Sequence, residues 1–143
     1  MSFKNLPAFT ARLEKKMTTK AAKHIKKSVT RGIMLIEGTA KKSIMSGGSG
    51  ATVKRYDPSR THVASKPLES PANDTGFLVS QITTTITPQV DGSVIGQLIS
   101  SAPYSKALEF GTTNMQPRPF MHPAFESNKR KVLEIFKKEG VIK

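Results

Sequence analysis

Cysteine is absent from this 143-residue chain, and acidic residues are few, 10 against 23 lysines and arginines. The missing thiols exclude disulfides, Cys-based zinc sites and thiol nucleophiles together. Scarce carboxylates argue against a paired general acid and base; the best placed, Glu109, stands alone in its neighbourhood. Aromatic residues make up only 6%. No apolar run approaches the roughly 18 residues of a membrane span. The N-terminus carries charges at Lys4, Arg12, Glu14, Lys15 and Lys16 and lacks the apolar core of a signal peptide. What these absences leave is a soluble, basic, cytosol-made chain with macromolecular partners. Its length suits one domain, 1–143.

The net charge of +13 is unevenly placed. Residues 1–45 hold eleven basic residues against Glu14 and Glu37, a net of +9, leaving +4 for the other 98. This first third reads as one long basic helix from about Pro7 to Ile44, free of internal proline and rich in Ala, Lys, Leu and Met. At 100° per residue, Ala22, Ile25, Val29, Ile33, Ile36, Ala40 and Ile44 fall within an arc of about 100°, a core-facing stripe. Leu6, Phe9, Leu13 and Met17 cluster on nearly the opposite face. Either the helix breaks near Thr18–Thr19, or its first half packs on another subunit. The second alternative makes those four residues a candidate intersubunit contact.

Residues 46–75 open with Ser46-Gly47-Gly48-Ser49-Gly50, carry Pro58, Pro67 and Pro71, and show little periodicity. They read as a long extended loop that is functional, mobile or ordered only by a partner. Just before the last segment, residues 76–143, Asp74 or Thr75 is positioned to cap a short helical turn. Ile82 to Ile86 alternates as a strand, Asp91-Gly92 signals a hairpin, and Ser93 to Ser100 returns as the more buried strand. Pro103 starts a short helix that Gly111 ends. A final helix, about Met121 to Glu139, places Met121, Phe125, Val132, Ile135 and Phe136 on one side, with Gly140 as terminator. The expected fold is α+β: a long N-terminal and a C-terminal helix packed on a small antiparallel sheet, with a long loop.

Chemistry is hard to find in this pattern. His24, His62 and His122 lack the spaced company that a metal site requires. The Gly47–Gly50 run lacks the Gly-Lys-Ser/Thr ending of a phosphate loop and reads as a flexible connector. No cofactor and no catalytic residue are expected, and an enzyme is not. Lys15, Lys16, Lys20, Lys23, Lys26, Lys27 and Arg31 remain as a candidate contact for an acidic protein or for DNA phosphates. No aromatic residue is interleaved with them, which argues against a single-strand stacking platform.

Three ordered segments add a further expectation. They are Asn73-Asp74-Thr75-Gly76-Phe77-Leu78, then Ala102-Pro103-Tyr104-Ser105-Lys106-Ala107-Leu108-Glu109-Phe110-Gly111-Thr112, then Pro117-Arg118-Pro119-Phe120-Met121-His122-Pro123-Ala124-Phe125. This series resembles the gene-product-ten-like tail-component family of tailed, siphophage-type bacteriophages, a neck or tail-completion family. The likeness runs from about Ser49 to Phe136 and includes the loop pieces Ser49 to Tyr56, Arg60-Thr61-His62 and Ala64 to Pro67. It implies a structural virion protein of the head–tail junction, made in the host cytoplasm. Such a protein forms a homo-oligomeric ring around the DNA channel, between the head connector or portal-side protein and the tail terminator or tail tube.

The matched positions make sense as architecture. Gly76 and Gly111 permit tight turns, and Tyr104 and Phe110 are expected to anchor the short helix on the sheet. Glu109 and Arg118 are expected to pair. A sliding channel is expected to repel DNA, so the basic helix faces either an acidic neighbouring ring or DNA held at the neck. The misaligned apolar residues 6, 9, 13 and 17 favour a protein neighbour.

Overall fold

The structure, a computed structural model, describes residues 6–56 and 59–143, with side chains at 6–10 and 13 outside that description. Four helices and two separate two-stranded antiparallel sheets make an α+β fold. Helix α1, Leu6–Met45, runs 40 residues without interruption, about 60 Å at 1.5 Å per residue. No break occurs at Thr18–Thr19. Both hydroxyls bond back to the carbonyls four residues earlier, on Glu14 and Lys15, sharing the acceptors of the helical ladder without breaking it.

The inner stripe forms where periodicity placed it, but only in the second half of α1. Ile36, Ala40 and Ile44 are buried; Ile25, Val29 and Ile33 are half-buried and Ala22 is exposed. Every described side chain from Ala11 to Lys23 is exposed, Met17 among them. The side chains of Leu6, Phe9 and Leu13 lie outside the described residues.

The segment 46–75 departs from the extended loop expected of it. Strands β1 (Thr52–Tyr56) and β2 (Ser59–Val63) pair as an antiparallel hairpin in which Arg55 faces Arg60 across the register. All five β1 residues are exposed, so the strand has no apolar alternation to read. Gly48 and Gly50 are not a flexible connector. A Cβ on Gly48 would lie 2.2 Å from the Ala64 carbonyl oxygen, and Gly50 N–H donates to that oxygen at 2.8 Å. The stretch beyond the hairpin is tied down at Asn73 N–H to Ile44 O (3.0 Å) and Leu68 N–H to Pro117 O (2.9 Å).

Helix α2 (Phe77–Ser80) leads into β3 (Ile82–Pro88), which pairs with β4 (Val94–Ser100) from Ile82↔Ser100 to Pro88↔Val94. The turn between them has only Gly92 left-handed, at φ 85°. Asp91 instead accepts from the Ser93 N–H and hydroxyl, so the turn is not the doubly left-handed form. Strand β4 alternates half-buried and exposed residues rather than burying both faces. Its inner face lies so close to α1 that a Cβ on Gly96 would meet Val29 Cγ1 at 2.8 Å. Ile95 and Ile99 face outward because no second layer covers that side of the two-stranded sheet.

Helices α3 (Ser105–Phe110) and α4 (Met121–Lys138) complete the chain. Gly140, at φ 72°, closes α4: its N–H reaches Lys137 O while Val141 N–H reaches Phe136 O, the paired bonds of a Schellman ending. The inward face of α4 includes Met121, Val132, Ile135 and Phe136, as expected, but not Phe125. Ala124 and Asn128 are buried with Val132 packed beside them, whereas Phe125 is 48% exposed. Asn128 Nδ2 donates 2.8 Å bonds to Thr39 Oγ1 on α1 and to Ala124 O, and Gly32 lets Val132 approach the α1 backbone. The main core gathers Ile44, Leu78, Ile82, Ala102 and Phe120, so α1 is the spine on which sheet and helices assemble.

Candidate functional site

The matched motifs converge on the start of α4. The Glu109 carboxylate accepts backbone N–H bonds from Phe120 (2.9 Å), Met121 (3.1 Å) and His122 (2.8 Å). A helix leaves its first N–H groups without internal partners, and a carboxylate there also meets the positive end of the helix dipole. Glu109 is therefore the cap of α4, supplied from α3. The expected Glu109–Arg118 ion pair does not form: the carboxylate is spent on backbone donors, and Arg118 is tied to α3 only by its backbone N–H, which bonds Leu108 O.

Gly111, at φ 76°, makes the intervening turn, and a Cβ there would lie 2.7 Å from Met115 O. Thr112 bridges to Met115 across the same turn, and Pro119 accepts a 3.3 Å bond from Ser70 Oγ. Pro123 falls in the first turn of α4, where a missing N–H costs little. Phe120 is almost wholly buried, as is Ala124. Phe110 does not anchor α3; it is 75% exposed. Leu108 takes that place in the core, and a residue two positions on points about 200° away. Tyr104 is also partly exposed and rests on Phe77, with ring centroids 6.2 Å apart.

Asp74 and Thr75 have separate tasks. Thr75 Oγ1 accepts from Phe77 N–H and Asn73 Oδ1 accepts from Gly76 N–H, so these residues shape the entry to α2 and place Leu78 in the core. Asp74 does not cap. Its Oδ2 lies 3.0 Å from Arg55 Nη2, and its Oδ1 lies 2.8 Å from Arg60 Nη2 and 3.9 Å from His62 Nδ1. The contacts at Oδ1 are ionic in character, since that oxygen receives no aligned hydrogen bond. Two arginines directly opposite on paired strands repel, and the carboxylate between them offsets this.

The basic face of α1 is real but divided. At 100° per residue, positions 15, 16, 20, 23, 26, 27 and 31 fall within an arc of about 160°, and all seven are exposed. Lys27 and Arg31 are also engaged within the chain. Glu139, at the end of α4, bonds Lys27 Nζ at 3.0 Å, a guanidinium nitrogen of Arg31, and His24 Nδ1 at 3.4 Å. The hydrogen bond from Lys27 leads in holding the Glu139 carboxyl below its ordinary range, with His24 and the Arg31 charge adding to it. Lys15, Lys16, Lys20, Lys23 and Lys26 have no ion-pair partner among the described residues.

Sequence reasoning missed three features: the cap by Glu109, the buried Asn128, and the cluster around Asp74. The pair Arg55 and Arg60, five positions apart, was the one available signal for that cluster. Among the described residues no group of three His, Asp or Glu side chains is placed to hold a metal ion. No described helix is long and apolar enough to cross a membrane. Comparison with protein-family profiles, with curated proteins and with solved structures finds no match.

Proposed function

We propose that this chain is a structural component of the head–tail junction of a tailed phage. In this reading it acts without catalysis, assembling as a ring around the DNA channel and joining the head connector to the tail. The observation that carries the reading is the first half of α1. It projects beyond the domain with every described side chain exposed from Ala11 to Lys23, and nothing among the described residues covers it. A helix of this length gains most of its stability from packing, so the projecting half calls for a neighbouring subunit or ring. Lys15, Lys16, Lys20 and Lys23 on it, without ion-pair partners among the described residues, suit an acidic protein surface. The motif residues support the same reading, since Glu109, Gly111, Phe120 and Ala124 serve as cap, turn and core.

Deletion of residues 1–18 tests the proposal. The account expects a folded protein, by circular dichroism and thermal melting, that no longer enters assembled particles. Retained incorporation would sink it. The second reading is a small nucleic-acid-binding protein, with the same lysines along phosphates; their shared arc on α1 is what favours it.

A further inference from the structure

A cavity of about 320 Å³ opens beside the Asp74 cluster, lined by Arg55, His62, Asp74, Thr75, Tyr104 and Arg118 among others. Its charges do not balance. Arg55 and Arg60 share the single negative charge of Asp74, and Arg118 has no ion-pair partner among the described residues because Glu109 is committed to α4. Two guanidinium groups, of Arg55 and Arg118, thus line the cavity beside the one carboxylate, and Arg60, outside the lining, holds that same carboxylate, so the cluster carries an excess of two positive charges. Nε of the lining residue Arg118 is buried without a hydrogen-bond partner, as is Nε of Arg60 behind Asp74. Buried donors without partners are costly, and desolvated cations without a counter-charge are more so.

We propose that this cavity binds a doubly charged tetrahedral oxyanion of the phosphate class, free or as a monoester. A dianion cancels the excess charge, whereas a monocarboxylate leaves one positive charge in place. Guanidinium forks match phosphate oxygens in pairs, and the Thr75 hydroxyl and Asn73 side chain supply neutral polar groups on the same wall. The site is separate from the projecting basic half of α1, and the proposal does not rest on the head–tail reading.

The test is a titration of the full chain with inorganic phosphate at constant ionic strength, followed by amide chemical shifts. Saturable shifts are expected at Arg55, His62, Asn73 to Gly76 and Arg118. Arg118→Gln should weaken binding about tenfold or more, as loss of a charge-assisted bidentate contact does. Lys15→Gln combined with Lys20→Gln should leave binding unchanged. If Arg118→Gln fails to fold, Arg55→Gln on the exposed hairpin carries the same expectation. A nucleoside monophosphate displacing phosphate at the same amides would identify the ester as the occupant; failure to displace would identify the free ion. Non-saturating shifts spread along α1, equal titration by acetate, or unchanged binding in the folded arginine variant would overturn the proposal.

Discussion

Glu109 concentrates more of the fold in one side chain than any other charged residue described. It joins α3 to α4 by taking three backbone donors that otherwise face a partly buried junction without partners. Glu109→Ala should therefore destabilise the protein by roughly 1–3 kcal/mol, the range for a lost cap and stranded donors. Glu109→Gln should cost less, since an amide oxygen still accepts but without charge. Urea denaturation of the three proteins checks this; equal midpoints would remove the cap from the account. The segment around Glu109 stood out in the sequence, but the partner of its carboxylate did not. Arg118 looked the natural mate because opposite charges attract. Backbone N–H groups leave no mark in a sequence, and here they take the carboxylate.

At the scale of elements, α1 and α4 are joined twice, by Asn128 to Thr39 in the middle and by Glu139 to His24, Lys27 and Arg31 at the end. Hydrogen bonding from Lys27, chiefly, keeps the folded-state carboxyl of Glu139 below its ordinary value of 4.5. A carboxyl lowered by folding stabilises above its unfolded pKa and loses that contribution as pH falls through its folded one. The stability gap between the native chain and Glu139→Gln should thus be open near neutrality and close as pH drops below about 4.5. Glu69 and Asp91 are also lowered, by bonds from Ser49 and Ser93 respectively, and they act equally in both proteins. Thermal melts across that range decide it; a gap independent of pH would contradict the ion-pair role.

The same scale shows how far periodicity reads. It found α1, β3, β4, α3 and α4 because each has a repeating apolar face or a Pro/Gly boundary. It missed the β1–β2 hairpin, whose strands hold exposed Arg, Lys, Thr and Ser with no apolar face. On α4 it placed Met121, Val132, Ile135 and Phe136 inward, but it took Phe125 for a core residue and passed over the smaller Ala124 and Asn128, which are buried against α1.

For the whole molecule, the projecting half of α1 separates the two readings of function. Non-specific duplex binding depends on released counterions and falls steeply with salt. If the lysines meet protein, titration with duplex DNA should give weak binding that disappears near ~0.15 M salt. Binding tighter than about micromolar at that salt, with a steep salt slope, would promote the nucleic-acid reading.

The most direct test is to locate the chain itself. Antibody-labelled electron microscopy of phage particles carrying this chain should place it at the collar where head meets tail, in a ring of repeated copies. Labelling elsewhere on the particle, or particles complete without the chain, would contradict the account.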